Sequence, residues 1–207
     1  MPLGGKMQAL GEQLLVATHN VGKLEEFRHL LLPLGVRVVS AADLGLPEPV
    51  ETETSFVGNG LLKARAAADA SGLVALADDS GLCVDALGGR PGVYTADWAT
   101  SDGRRDFSIG MARVHRELLA MKAARPWVAQ FCCTLVLAWP NGRHLVFEGK
   151  MAGQMVWPPR GALGHGFDPM FQPDGHDLTC GQMDRWEKNL ISHRARAFRD
   201  LVTDCFP

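Results

Sequence analysis

The feature that most restricts what this chain can fold into is a strand–helix–strand alternation near its start. Leu14 to Thr18 is a short apolar run that predicts a buried strand. Leu24 to Leu32 then places Leu24, Phe27, Leu30 and Leu31 on one helical face and Glu25, Glu26 and Arg28 on the other. Pro33 and Gly35 stop that helix, and Val36 to Val39 supply a second strand. Units of this kind build mixed or parallel sheets.

The rest of the chain extends the pattern. Leu44 to Thr54 is a loop with Pro47, Pro49 and the acids Glu48, Glu51 and Glu53. Phe56 to Ala70 predicts an Ala-rich helix with Lys63 and Arg65 exposed, and Val74 to Ala77 a short buried strand ended by Gly81. Gly88 to Gly92 is irregular, and Ile109 to Ala123 is helical. Val128 to Trp139 and Arg143 to Met151 form a long hairpin around Pro140-Asn141-Gly142. A Gly/Pro-rich loop covers Trp157 to Gly175, and a last helix runs from about Lys188 to Val202. No repeat, low-complexity segment or linker interrupts this order. The expectation is one α/β domain over residues 11–207, two-lobed around a central cleft, after a flexible extension over residues 1–10.

Composition sets the outer limits. The 207 residues suffice for one substantial core, and 46% hydrophobic with 21% charged residues is ordinary for a globular protein. Net charge is −2, which argues against binding duplex nucleic acid. No apolar run nears the ~20 residues of a membrane helix, and no secretory signal is visible. Five cysteines without a Cys-x-x-Cys pair fit reduced thiols in a cytoplasm, with the adjacent Cys132 and Cys133 on opposite faces of a strand.

Three motifs carry chemistry. In Asp78-Asp79-Ser80-Gly81 an apolar strand delivers two carboxylates and a hydroxyl to a loop, where a scaffold aims side chains at substrate. On extended backbone the two aspartates face opposite ways, so one at most faces a given cleft. The plainer alternative is a solvated Asx-type turn. Thr18-His19-Asn20-Val21-Gly22-Lys23 lies where the first strand enters the first helix. There, unpaired N–H groups and the helix dipole suit an anion, Asn20 can cap, and Lys23 adds a charge for phosphate. The spacing is not that of a Walker loop. Glu51 or Glu53, with Asp78 and Asp79, would pair with such an anion site through magnesium, which binds one or two carboxylates together with phosphate oxygens. The third motif is Gly164-His165-Gly166-Phe167-Asp168-Pro169, followed by Lys188 and Ile191-Ser192-His193-Arg194. Its Phe167 is either a base-stacking platform or a core plug.

Together these blocks, with Asp85-Ala86-Leu87-Gly88-Gly89-Arg90-Pro91-Gly92-Val93-Tyr94 and Glu187-Lys188-Asn189, resemble the inosine/xanthosine triphosphate pyrophosphatase family from about residue 14 to 202. The resemblance implies an elongated mixed β-sheet with flanking helices in a homodimer. It makes Thr18, His19, Asn20, Val21, Gly22 and Lys23 the triphosphate loop, Asp79 the catalytic acid, and Glu51 and Asp79 the magnesium ligands. Ser80 becomes a substrate contact, and His165, Gly166, Phe167, Asp168, Lys188, His193 and Arg194 the base pocket. Departures from the family pattern are His19 for Gly, Gly58 for Glu, Thr95-Ala96-Asp97 for Ser-Ala-Arg, His165 for Phe, and Phe167 for Tyr or Trp.

The implied reaction converts ITP, dITP or XTP and water to the monophosphate and pyrophosphate, with a purine triphosphate as partner and neither nucleic acid nor membrane. Two alternatives share parts of the pattern: a house-cleaning pyrophosphatase for modified pyrimidine nucleotides, and a non-catalytic nucleotide-binding module.

Overall fold

A computed structural model describes residues 13–206. The expected extension over residues 1–10 lies outside them. The opening alternation is present: β1 (Gln13–Val16), α1 (Val21–Leu31) and β2 (Arg37–Ser40). Asn20 starts α1 by accepting the Lys23 N–H on Oδ1 at 3.1 Å. Then come α2 (Phe56–Ser71) and β3 (Val74–Val84). Ser55 caps α2 through the Gly58 N–H, and Gly72, at φ 71°, ends it. β1 pairs in parallel with both β2 and β3, so α1 and α2 lie in the crossovers that parallel pairing requires. Leu15 is opposite Val39 on one side and Ala75 on the other.

Beyond β3 the chain forms the short ribbon β4 (Thr100–Ser101) and β5 (Arg104–Arg105), then α3 (Phe107–Ala120). β6 (Trp127–Ala138) and β7 (His144–Met155) follow, with the Gly142 N–H donating to the Trp139 carbonyl in their connection. β8 (Phe171–Pro173), α4 (Arg185–Ile191) and α5 (His193–Cys205) complete the described chain. The main sheet has the order β2-β1-β3-β6-β7-β8 and is mixed, because β8 is antiparallel to β7.

Three expectations are corrected. Gly81 does not end β3, which continues to Val84 with Leu82 and Val84 fully buried. Sheet pairing here overrides the local turn signal of one glycine. The loop expected over Trp157 to Gly175 contains β8, which pairs Gly153 with Pro173. A proline is tolerated there because β8 is an edge strand. The single last helix is two helices: Ser192 is extended (φ −63°, ψ 153°), and its hydroxyl accepts the Ala195 N–H at 3.1 Å. It thereby caps α5 instead of continuing α4.

The described chain forms two compact units. The first runs up to Asp79 and takes in Thr134–Glu148 and the chain from Ala197; the second is Ser80–Cys133 with Gly149–Arg196. The first unit's core packs Ala64, Ala67 and Ala68 of α2 on Leu15, Ala75, Ala77 and Val136. Small residues bring α2 close to the sheet: a Cβ at Gly60 would lie 2.8 Å from Val136 Cγ2. The second unit's core is larger and more aromatic, with Trp98, Trp127, Phe131, Phe167 and Phe171 among its members. No described helix is long and apolar enough to cross a membrane.

Candidate active site

In the first unit, the alternation of β3 sends the two aspartates to different lysines. Asp78, with its side chain wholly buried, pairs with Lys23 from the first turn of α1. Asp79 accepts from Lys63 of α2 at 2.9 Å. The plainer alternative, a solvated turn, is thereby excluded, because both aspartates are buried.

Lys63 is a further correction, since the helix pattern predicts it in solvent. Only 8% of its side chain is exposed. Its ammonium donates to Glu51 Oε1 at 2.7 Å, to the Asp78 carbonyl at 2.9 Å and to Asp79 Oδ1 at 2.9 Å. Three acceptors match the three protons of an ammonium, which makes burial of the charge tolerable. Burial works to lower the pKa of Lys63. The Asp79 charge and the bonds to Glu51 and Asp79 outweigh it, so the group is held above the usual lysine value. For Asp79 burial dominates and raises the carboxyl pKa against the pull of Lys63, with Glu51 adding to the rise and Lys23 opposing it.

Asp79 Oδ2 is buried with no hydrogen-bond partner among the described residues. A buried carboxylate oxygen without a donor is costly. It is also a suitable ligand for a hard divalent cation, and Glu51 joins the same lysine. Among the described residues no group of three or more His, Cys, Asp or Glu side chains could hold a metal. The two carboxylates, one with an unpartnered buried oxygen, are a donor set that fits a hard cation sharing its remaining positions with water and phosphate oxygens.

The loop ahead of α1 is built by its own side chains. Thr18 Oγ1 accepts the Asn20 N–H at 3.1 Å. His19 Nε2 lies 2.9 Å from the Leu46 carbonyl, which ties this loop to the acidic loop that bears Glu51. Val21 is 72% exposed at the helix start, and Gly22 is exposed beside it. Glu53 donates its N–H to Asn59 Oδ1, and a Cβ at Gly58 would meet the Glu53 side chain at 2.7 Å.

The second unit gathers the other expected residues. Asp168, 2% exposed, accepts from Lys188 Nζ and from the His165 N–H, each at 2.5 Å. Gly164, at φ 77°, makes room for this carboxylate, since a Cβ there would collide with Asp168 Oδ2. Arg194 Nη2 is 3.4 Å from Ser80 Oγ, and the buried His193 stacks on Phe131 with centroids 5.2 Å apart. His165 is exposed and Gly166 half-buried.

Phe167 departs from its expected use as a stacking platform. It is 2% exposed, meets Phe107 edge-to-face at 5.8 Å, and sits so close to α3 that a Cβ on Gly110 would lie 2.9 Å from its Cζ. A ring so enclosed packs the core.

Comparison with known proteins gives one consistent answer. The model of the Ham1 family matches residues 14–204. The chain is 61% identical to the dITP/XTP pyrophosphatase of Ruegeria pomeroyi over 196 residues, which is 95% of this chain and 96% of that protein. It is 50% identical to the Rhizobium meliloti protein of the same name, over 95% and 97% of the two chains. Among solved structures, a HAM1 protein from Coxiella burnetii superposes with a TM-score of 0.86 at 34% identity, covering 93% of this chain and 97% of that one.

Proposed function

The chain belongs to the Ham1 family, and from that premise we propose that it hydrolyses non-standard purine nucleoside triphosphates, dITP, ITP and XTP, to the monophosphate and pyrophosphate. The observation that carries the proposal is the buried, unpartnered Oδ2 of Asp79 beside the Glu51–Lys63–Asp79 network.

Each residue has a task that its chemistry suits. Lys23 and the capped start of α1 hold phosphate oxygens. Glu51 and Asp79 are the groups that would hold magnesium, which when bound supplies charge neutralisation to the phosphates. Asp79 takes a proton from the attacking water, a task helped by the burial that raises its pKa. The water oxygen bonds to the α-phosphorus, the α–β bridging bond breaks, and pyrophosphate leaves. Lys63 favours the ionised form of Asp79 against that burial and aims its carboxylate.

Base selection falls to Lys188, held in place by Asp168, and to Arg194 beside Ser80. Both are donors only, so they satisfy the 6-keto oxygen of hypoxanthine or xanthine and leave the 6-amino group of adenine unmatched. Sites of this kind discriminate by up to about 10⁴–10⁵. The resemblance further implies a cytoplasmic homodimer; light scattering on the purified protein tests the dimer.

The decisive experiment is a panel of ITP, XTP, dITP, GTP, ATP and dUTP with magnesium, measuring pyrophosphate separately from orthophosphate. The proposal expects pyrophosphate from the first three and loss of turnover on chelation. Orthophosphate as the primary product, or equal turnover of ATP and ITP, overturns it.

A further inference from the structure

Cys83 and Cys132 lie outside every role assigned above, yet their positions are not those of ordinary buried thiols. Cys83 is near the end of β3 and Cys132 is in β6, the next strand in the sheet, and both belong to the second unit. Their sulfurs are 3.8 Å apart, with the Cys132 thiol directed at Cys83. Formation of a bond at about 2.05 Å thus asks the sulfurs of these two neighbouring strands to approach by less than ~2 Å. Cys133, next along β6, points to the opposite face and is 1% exposed.

The two sulfurs also differ in access. Cys83 is half-buried and Cys132 is 7% exposed, so a reagent from solvent meets Cys83 first. The hydrogen bond from Cys132 holds the Cys83 thiol below its ordinary pKa; burial opposes this, Lys150 adds to it and Asp85 works against it. A lower thiol pKa supplies more thiolate, the attacking species. Cys180 shows the contrast: full burial, with Asp168 nearby, pushes its thiol up to about 12.

From this geometry we propose that Cys83 and Cys132 are a dithiol modification site that closes to an intramolecular disulfide by exchange with a low-molecular-weight disulfide. The Cys83 thiolate attacks one sulfur of the reagent, forming a mixed disulfide and releasing one thiolate. Cys132, after losing its proton to solvent, attacks the Cys83 sulfur, and the second reagent thiolate leaves. The two protein thiols are oxidised by two electrons and one reagent disulfide is reduced to two thiols. The bridge ties β3 to β6 a few residues beyond Ser80.

The test uses the purified full chain and glutathione disulfide, read by intact mass and by non-reducing peptide mapping. The wild-type chain is expected to lose two hydrogens, to show one linkage between the Cys83 and Cys132 peptides, and to recover its mass with dithiothreitol. Cys132→Ala should stop at a glutathione adduct on Cys83, and Cys133→Ala should still form the bridge. A wild-type chain that stays reduced, or that stops at the adduct, overturns the proposal. So does a bridge that survives Cys132→Ala. The wild-type mass alone decides the main point, whatever the variants do to folding.

Discussion

The Lys63 ammonium lies 2.9 Å from Asp79 Oδ1 and 2.7 Å from Glu51 Oε1, so one cation from α2 is shared between two carboxylates. Its removal leaves Asp79 buried beside Glu51 with no counter-charge from α2. Lys63→Met is expected to destabilise the chain by about 3 kcal/mol, the range found when one partner of a buried pair is removed. It should also abolish pyrophosphate release. The urea midpoint and turnover of ITP measure the two effects, and a variant with wild-type values of both would contradict the arrangement.

Asp79→Asn separates chemistry from packing. The amide keeps the shape and one acceptor for Lys63 but loses the charge and the proton-accepting oxygen. Turnover of ITP should fall by at least about 10²–10⁴-fold, the worth of general-base help. Circular dichroism should stay that of the wild type. Near-normal turnover would remove Asp79 from the mechanism.

Much of this site is legible in the residues, and the exceptions share one cause. The capping Asn20 and the opposite facing of Asp78 and Asp79 follow from helix capping and strand period, whereas the pairing of Lys23 with Asp78 is tertiary and no local pattern places it. Lys63 escapes such a reading because a charge in an Ala-rich helix is placed outward by default. The available signal is positional: Lys63 shares a helical face with Asn59 and Ala67, both buried. What makes the inward ammonium tolerable is Glu51 and Asp79, which no local pattern places beside it. Phe167 stays open between platform and plug for the same reason, since Phe107 and Gly110 of α3 decide the matter. The extension of β3 past Gly81 likewise rests on strand pairing rather than local propensity.

Gly164 offers a test of how Asp168 is held. Its φ of 77° disfavours any side chain, and a Cβ would also displace the Asp168 carboxylate from Lys188 and the His165 N–H. Gly142, at φ 84° with nothing within 4 Å of where a Cβ would stand, carries the backbone penalty alone. Gly142→Ala is expected to cost about 1–2 kcal/mol. Gly164→Ala should cost more, by about 1–3 kcal/mol of overpacking, and should raise KM for ITP while Gly142→Ala leaves it unchanged. Equal thermal shifts for the two variants would show that Gly164 serves the turn alone.

Asp106 gives a pH-dependent contribution whose sign follows from its hydrogen bonds. It caps α3 by accepting the Ser108 N–H on Oδ1 at 2.8 Å. The Ser108 side chain first, then its backbone N–H, hold the carboxyl below its ordinary value of 3.8; burial opposes them, and the Ile109 N–H adds a lesser pull downward. A carboxyl with a lowered pKa in the folded chain binds its proton more readily when unfolded. Its stabilisation is therefore complete above the ordinary pKa and is lost as pH falls through the folded value. Asp106→Ala should lower the urea midpoint at neutral pH, and the gap from wild type should narrow below about pH 4. The carboxylate is exposed, so added salt should weaken the charged part of the effect as well. A gap of constant size from neutral to acid would mean that the side chain stabilises α3 by shape rather than by charge.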